Sequence, residues 1–279
     1  MPVTISEIKA DDYLVTKEIE YVDVHRILQL FSKIAFKINV ILTGETGIGK
    51  SSAIAKYARA TQTPLITHWC SEDQRREHLI GHLTMADSVT TYHYGPLPRA
   101  IAVANAFGKA ILLLEELNGL TPQSQKLLNP LTDWHREVVT DYGTEKLNPG
   151  AQLWIVGAMN SAGYGGIYAL NDDLKSRFRI IPLGYPKQED ERAMAEKLVP
   201  GASKEMVTKV LTLAEMTRKS QVDYRLSPRD VLDILRDTSI CGLGEALRLQ
   251  SGKFEGGERA VFLQWCKSTF TEAMLKAKP

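Results

Sequence analysis

The stretch "GETGIGKSS" at residues 44–52 limits the fold and the chemistry of this chain more than any other feature. It fits the spacing G-x-x-x-x-G-K-[ST], with Gly44, Gly49, Lys50 and Ser51 at the defined positions. Glycines let a backbone curl tightly around an anion, so that its N–H groups point inward. A helix that begins at the loop adds the positive end of its dipole. The pattern therefore predicts a phosphate-binding loop.

The neighbours of the loop support this interpretation. Residues 38–43, "INVILT", are short, apolar and β-branched, as in a buried strand. Residues 51–60, "SSAIAKYARA", are rich in alanine and lysine and predict a helix. A strand, a glycine-rich turn and a helix together predict a nucleoside triphosphate site, in which Lys50 reaches the β- and γ-phosphates and the Ser51 hydroxyl binds Mg²⁺. The predicted nucleotide-binding residues are Gly44, Glu45, Thr46, Gly47, Ile48, Gly49, Lys50, Ser51 and Ser52.

Composition narrows the class of protein. The chain has 279 residues, enough for one large domain or two small ones, and a formal net charge of +1. Such a charge predicts no general attraction to nucleic acid or to an anionic membrane. The three scattered cysteines favour reduced thiols and a cytoplasmic location. The polar start of the chain and the lack of an apolar run near 18 residues predict neither a signal peptide nor a membrane helix.

Five short apolar segments predict strands, and helical patterns lie between most of them. Apolar strands that alternate with helices indicate a parallel sheet covered on both faces. After about residue 185 the sequence becomes charged and helical in pattern, so we expect an α/β domain over 1–185 and a small all-helical domain over 186–279. The predicted strands are 39–43, 64–69, 110–114, 152–158 and 178–183.

The helical part carries two local predictions. In "SPRD", Ser227 is the expected N-cap of a helix, with Pro228 in its first position and an acid in its first turn. Over 258–275, a stripe of apolar residues recurs at roughly helical spacing, with Phe262 and Cys266 beside it, and we expect Trp265 and Phe270 in the core of the helical domain. The stripe consists of Val261, Trp265 and Ala273.

Two carboxylates follow the predicted strand in "AILLLEELNGL", residues 110–120. P-loop nucleoside triphosphatases place an acid at such a strand end to orient Mg²⁺ and its waters. A glutamate that follows this acid can polarise the attacking water. By position, Glu115 is the acid on the metal side and Glu116 is the catalytic base. Aspartate is usual at the first position. The longer side chain of Glu115 predicts a contact with the metal that is either shifted or made through water.

Three further polar positions are candidates. Asn160 ends the strand pattern in "WIVGAMNS", and its neutral amide could bond both the γ-phosphate and the attacking water. Arg177 and Arg179 lie around the start of the last strand, where an arginine presented to a neighbouring subunit would stabilise the charge of phosphoryl transfer. Arg229 begins a helix of the second domain and could contact the γ-phosphate from there.

The order of these motifs resembles that of AAA+ ATPases in the MoxR, CbbQ and dynein/midasin-related branch, over about residues 20–240. The resemblance implies Walker A and Walker B motifs, sensor 1 at Asn160, an arginine finger at Arg177 and sensor 2 at Arg229. It also implies a homo-oligomeric ring, usually a hexamer, with ATP and Mg²⁺ at each subunit interface. The motifs are "GETGIGKS", "LIG" (79–81), "GPLPRAI" (95–101), "ILLLEELN" (111–118), "QKLL" (125–128), "WIVGAMNSAGYGG" (154–166), "LKSRF" (174–178) and "LSPRD" (226–230).

The resemblance further implies two hairpin insertions, over 82–97 and over 136–150. The chain departs from the family pattern at Glu115 and at His78, where an acid is common. Arg179 competes with Arg177 for the finger role, and the "SRF" triplet favours Arg177.

Two other patterns have competing interpretations. His78 and His82 have the spacing of a zinc pair on a helix, but Gly81 weakens that helix and no third ligand is evident. The glycine-rich stretch 163–166 could form a second phosphate loop, although a flexible link before Arg177 is the preferred interpretation.

The expected function is a ring-forming AAA+ ATPase that uses ATP hydrolysis to remodel or activate a partner protein. The MoxR-like branch often works with a von Willebrand A-type partner. We expect recognition to come from the hairpins, the outer face or another protein. No residue reads the base, so ATP rather than GTP follows from the resemblance. The alternatives are a motor or regulatory subunit of a nucleic-acid-processing complex, in restriction, transposition or defence, and a nucleotide-gated assembly switch with low turnover.

Overall fold

The structure is a computed structural model that describes residues 3–5, 8–86, 89–160 and 168–277. The glycine-rich stretch 163–166 lies outside these residues. The chain divides into two compact units: the first contains Met1–Gly44 and Lys50–Leu183, and the second contains Glu45–Gly49 and Gly184–Pro279. The domain assignment 1–185 and 186–279 stays a prediction. The two units differ from it mainly because they group the five loop residues with the second unit.

The described residues contain ten strands in three sheets. The central sheet has five strands, all parallel, in the order β10-β2-β9-β6-β3. These are the five strands that the sequence predicts. The strands are β1 (Val3–Ile5), β2 (Val40–Gly44), β3 (Leu65–Trp69), β4 (Gly81–Ala86), β5 (Val89–Tyr94), β6 (Lys109–Glu115), β7 (Glu137–Val139), β8 (Thr144–Lys146), β9 (Gln152–Met159) and β10 (Arg179–Leu183).

Helices connect the strands of the first unit and make up most of the second. Short 3-10 helices cover Ala10–Tyr13, Leu117–Gly119 and Lys126–Leu128. The α-helices are α1 (Ile27–Ile34), α2 (Lys50–Ala60), α3 (Arg76–Ile80), α4 (Pro96–Phe107), α5 (Pro122–Gln125), α6 (Asn129–Thr132), α7 (Asp172–Ser176), α8 (Gln188–Leu198), α9 (Lys204–Lys219), α10 (Pro228–Cys241), α11 (Leu243–Ser251), α12 (Glu258–Thr269) and α13 (Glu272–Lys276).

The central strands β2, β6 and β9 are buried along nearly their whole length, as expected for a parallel sheet covered on both faces. Because the strands are parallel, their carboxyl ends meet at one edge of the sheet. Gly44, Glu115 and Asn160 lie at or just after these ends. The two outer strands of the sheet are β10 and β3. At the start of β10, the Arg179 N–H donates to the Asn39 carbonyl (2.9 Å).

Two antiparallel hairpins extend the first unit, β4–β5 and β7–β8, where the family resemblance predicts them. Strand β1 adds to β5 in parallel, which the sequence does not predict. The hairpins contact each other through the stacked rings of Tyr92 and Tyr142. Helix α3 ends at Ile80, so His78 lies on a helix and His82 on a strand, and they do not share one helical face.

In the second unit, the predicted helix start at "SPRD" is confirmed. The Ser227 hydroxyl accepts from the Asp230 N–H (3.2 Å), and the Asp230 carboxylate accepts from the Ser227 N–H (2.8 Å), which is a capping box. The cap fixes the first turn of α10, which contains Arg229.

The helical pattern over 258–275 is divided between two helices. Helix α12 ends at Thr269, and a new helix begins at Glu272, because Phe270 is extended and the Thr271 hydroxyl caps α13. Phe262 and Cys266 are the buried residues of α12, whereas Val261 is 38% exposed. Successive residues lie about 100° apart on a helix, so neighbouring positions can border the same core. Phe270 is buried in that core and Trp265 packs against it partly buried, as expected.

A buried ion pair fixes the second unit internally. The Arg218 guanidinium donates to both carboxylate oxygens of Glu191 (2.7 and 2.8 Å) and to the Leu226 carbonyl (2.8 Å). Its carbon Cζ also lies 4.3 Å from the centre of the Tyr185 ring. The Glu191 side chain is 1% exposed and that of Arg218 is 12% exposed. Removing either partner would therefore leave a charge out of contact with water.

We predict that Arg218→Met lowers the free energy of unfolding by about 3–5 kcal/mol, because the Glu191 carboxylate would lose its counter-ion in a buried site. Urea unfolding followed by circular dichroism measures the change. The matched control is Lys219→Met, which breaks an exposed pair with Glu215 on the same helix and should cost less than about 1 kcal/mol. Equal losses in the two variants would contradict the assignment.

Candidate functional site

The backbone of the loop between β2 and α2 requires glycine. Gly44, Gly47 and Gly49 have φ angles of +155°, +78° and +100°, which residues with a side chain rarely adopt. A Cβ atom at Gly44 would also lie 2.3 Å from the Leu183 carbonyl oxygen of β10. The three glycines of the loop are therefore explained by its backbone conformation.

Lys50 begins α2 and is only 8% exposed. Its Nζ donates to the Gly44 carbonyl (2.7 Å) and to Asn160 Oδ1 (3.1 Å). The ammonium thus joins the end of β2, the start of α2 and the residue after β9. Two positions that are 110 residues apart in the sequence meet here, as the predicted roles of Lys50 and Asn160 require.

Glu115 is the last residue of β6 and is also 8% exposed. Burial raises the pKa of its carboxyl group, although a hydrogen bond with the Ser51 side chain and the charge of Lys50 act in the opposite direction. A buried carboxylate beside a serine hydroxyl offers oxygen ligands of the kind that Mg²⁺ prefers. Because Mg²⁺ commonly binds proteins through one or two carboxylates and completes its shell with water and phosphate, these residues fit that ion.

Glu116 differs sharply from its neighbour. Its side chain is exposed, and its backbone lies in the left-handed region (φ 52°, ψ 43°), which costs free energy for a residue with a side chain. Its carbonyl accepts from the Gly119 N–H (2.6 Å) in the short 3-10 helix that follows. One carboxylate of the pair is therefore buried beside Lys50 and Ser51, and the other is accessible to water.

The two candidate finger arginines lie in different environments. Arg177 ends α7, and its Nη1 donates to the Asp173 carbonyl (2.5 Å). Its Nε is buried and has no hydrogen-bond partner among the described residues. The charge of Arg177 also acts on the nearby Asp133 carboxyl. Burial acts to raise the pKa of that carboxyl, but the hydrogen bonds from His135 and the charges of His135 and Arg177 are stronger, and the net result is a pKa below the usual value. Arg179 begins β10 and is exposed.

Arg229 lies in the second unit, in the first turn of α10. The loop residue Gly47 belongs to the same unit. A Cβ atom at Gly47 would lie 2.4 Å from Ser227 Oγ and 3.1 Å from the Cβ of Arg229. Glycine at position 47 therefore permits a close approach between the loop and the start of α10, in addition to its backbone conformation.

The first unit thus brings together Lys50, Ser51, Glu115 and Asn160, all of which the sequence singles out. Sequence reasoning missed Gln125, which is completely buried between this region and α7. The signal for it was its place in the "QKLL" motif. Among the described residues, no group of three or more histidine, cysteine, aspartate or glutamate residues is arranged to hold a metal ion.

Comparison with known proteins identifies the family. Residues 39–178 match the family model described as "AAA domain (dynein-related subfamily)". The chain belongs to this family. The match begins before β2 and ends at Phe178, so it contains the phosphate loop, both carboxylates, Asn160 and Arg177.

An uncharacterized protein of Staphylococcus haemolyticus is 28% identical over 152 residues, which cover 53% of this chain and 56% of that protein. An uncharacterized protein of Staphylococcus aureus matches to the same extent. The chain thus spans little more than half the length of these curated relatives. A RuvB variant of Thermotoga maritima is 13% identical and has a TM-score of 0.53, with coverage of 89% of this chain and 71% of that one, which shows likeness of fold alone.

The described helices include none that is both long enough and apolar enough to span a membrane.

We predict that Glu115→Gln stabilises the nucleotide-free protein at about pH 8 while it weakens the dependence of nucleotide binding on Mg²⁺. Folding raises the pKa of this carboxyl, so its charged form costs stability above the folded pKa, and the cost disappears as the pH falls below the unfolded pKa. The gain in stability should therefore shrink on acidification.

Thermal unfolding at several pH values and nucleotide titrations with and without Mg²⁺ measure the two effects. Glu72→Gln, which changes an exposed carboxylate of the same unit, is the control and should alter neither. A variant at position 115 that is less stable at every pH would contradict the assignment.

Proposed function

We propose that this protein is a ring-forming AAA+ ATPase, usually hexameric in its family, that uses ATP hydrolysis to remodel or activate a partner protein. The observation that carries the proposal is the placement of the Lys50 ammonium between the Gly44 carbonyl and Asn160 Oδ1, next to Ser51 and Glu115. In this proposal, the arrangement would bring the phosphate-binding group, the metal-binding oxygens and a sensor together at one edge of the sheet.

Each residue has a role that its environment supports. The backbone N–H groups of Gly44–Ser52 would surround the phosphates, and Lys50 would neutralise charge on the β- and γ-phosphates. Ser51 and Glu115 would hold Mg²⁺, which when bound offsets negative charge on the phosphate oxygens. The amide of Asn160, within reach of Lys50, would orient the attacking water without adding charge.

Glu116 is proposed as the general base. It is exposed, so water can reach its carboxylate, and it lies one residue from the metal-side acid. A regular strand would have placed the side chains of Glu115 and Glu116 on opposite faces of the sheet, and the left-handed backbone of Glu116 departs from that geometry. Strain of this kind persists where the surrounding structure enforces it, and functional sites are where it is usually found.

Arg177 is proposed as the finger that acts on the nucleotide of a neighbouring subunit, and Arg229 as sensor 2. For the domains, we retain 1–185 as the nucleotide-binding part and 186–279 as the helical lid. A formal net charge of +1 supports a protein target over a nucleic acid. A von Willebrand A-type protein is the kind of partner that this branch suggests. The three free thiols Cys70, Cys241 and Cys266 support a cytoplasmic location.

We predict that Glu116→Gln retains ATP binding and lowers turnover by about 10²–10⁴-fold, the usual contribution of a general base. The amide has the same length and keeps the backbone conformation, so stability should change little. Steady-state phosphate release and fluorescent-ATP titration measure the two properties, with Glu72→Gln as the control. Normal turnover in the variant would show that Glu116 is not the base.

We predict that Arg177→Ala and Lys50→Ala are each inactive and that mixing them restores ATP hydrolysis. Lys50→Ala lacks a working site but keeps its finger, whereas Arg177→Ala keeps its site and lacks the finger, whose loss costs about 10³-fold or more in rate. Subunit exchange would pair an intact site with an intact finger. Light scattering on the same mixtures reports assembly. Mixed assemblies that form without recovering activity would exclude Arg177 and make Arg179 the next candidate.

A further inference from the structure

One completely buried polar side chain has no part in the roles proposed above. Gln125 ends α5 and is 0% exposed. Its Nε2 donates to the carbonyls of Leu120 (3.0 Å) and Ala169 (3.2 Å), and its Oε1 accepts from the Asn171 N–H (2.8 Å). A buried amide is costly unless its donors and acceptor are satisfied, and here both ends of the amide are used.

The partners of Gln125 belong to two segments that are distant in sequence. Leu120 follows the 3-10 helix that comes directly after Glu116, whereas Ala169 and Asn171 lead into α7. Two other hydrogen bonds join the same segments. The Tyr168 N–H donates to the Asn118 carbonyl (2.8 Å), and Asn171 Nδ2 donates to the Pro122 carbonyl (2.8 Å). Gln125 is the residue of this group whose side chain is completely buried and bonds to both segments.

The position of Arg177 follows from the start of α7. That helix has five residues and begins after Asn171, whose carbonyl accepts from the Lys175 N–H (2.9 Å). Leu174, in the middle of the helix, is completely buried and accepts at its carbonyl from the Arg177 N–H (3.1 Å). A helix of a single turn cannot be positioned by its own hydrogen bonds. Its attachment at Asn171 and the burial of Leu174 therefore position Arg177 from one side, and the buried Phe178 directly before β10 does so from the other.

We propose that Gln125 is a positioning residue for Arg177. Its amide holds the start of α7 in a fixed place relative to the segment that follows Glu115 and Glu116 in the chain. The finger that a subunit supplies to its neighbour would then depend on the arrangement of its own Walker B region. This inference rests on the proposed role of Arg177 as a finger that acts across the subunit interface.

The test uses Gln125→Met, which keeps the length and approximate volume of the side chain and removes its donors and acceptor. The expected phenotype is ATP binding close to that of the unchanged protein with turnover lowered by about 10²-fold, because a displacement of about 1 Å at a reacting group can cost that much. Fluorescent-ATP titration and phosphate release measure the two, and light scattering reports assembly.

Mixing experiments separate positioning from loss of structure. Gln125→Met mixed with Lys50→Ala should regain hydrolysis, because the first supplies an intact site and the second an intact finger. Gln125→Met mixed with Arg177→Ala should stay inactive, because neither supplies a finger. A subunit that is merely destabilised would lose its own site as well and would regain activity with neither partner.

A second variant covers the case in which Gln125→Met does not fold. Gln125→Glu keeps the shape of the side chain and the oxygen that accepts from the Asn171 N–H, and it can donate at most one of the two bonds to the Leu120 and Ala169 carbonyls. It should lower turnover several-fold and show the same choice of mixing partner.

The outcomes are distinct. If Arg177→Ala and Lys50→Ala fail to complement each other in mixed assemblies, both the proposed finger and this inference are wrong. If they do complement, but the folded position-125 variant turns over normally or is rescued by Arg177→Ala, only the role of Gln125 is overturned. If Gln125→Met does not fold, the same outcomes for Gln125→Glu decide in its place.

Discussion

The hydrogen bonds of one buried ammonium group set the conditions for the rest of the site. Lys50 Nζ can reach both the Gly44 carbonyl and Asn160 only if β2 and β9 are adjacent, parallel and in their observed register. It also requires a loop short and tightly curved enough to return the chain to the end of its own strand, which the glycines permit. The sheet order and the sequence of the loop are therefore two requirements of the same contact.

The backbone of Glu116, near this contact, is stabilised by the packing of the next residue against β9. A Cβ atom at Gly157 on β9 would lie 2.7 Å from the Cδ2 of Leu117 and 3.1 Å from Ile41 Cγ1. The missing side chain makes room for Leu117, which is completely buried directly after Glu116. Packing of Leu117 into that space offsets the unfavourable backbone of Glu116. The core thus stabilises a conformation that the residue would not adopt by itself.

Much of this arrangement could be predicted from sequence because its signals are local. The strand before the loop, the glycine spacing and the helix start at Ser227 each depend on residues within a few positions of one another. Patterns that compete cannot be resolved in the same way. Of the apolar residues in α12, Phe262 is fully buried, Trp265 lies at the border of the core and Val261 is exposed, because the core is completed by residues from other helices.

Features that depend on long-range contacts were not visible in the sequence. The residue after Glu116, Leu117, packs into a space at Gly157 on β9, and the Gln125 amide bonds to a segment more than 40 residues later. Strand β1 has only three residues and pairs with a hairpin about 87 positions away, so no periodicity could reveal it. Motif order did succeed over such distances, because it reflects the family rather than the physics of one segment.

The outer strand β10 of the central sheet has a consequence for how copies of this protein could meet. The Arg179 N–H points to β2. Because backbone groups alternate in direction along a strand, the backbone groups of residues 180 and 182 point away from β2. Pro182 has no N–H, so Ile180 offers the one outward backbone donor of this strand. Such an edge resists the addition of a further strand, which protects a sheet against uncontrolled stacking. Contacts between copies on this side would then be made by side chains, which can separate and re-form without rebuilding a sheet.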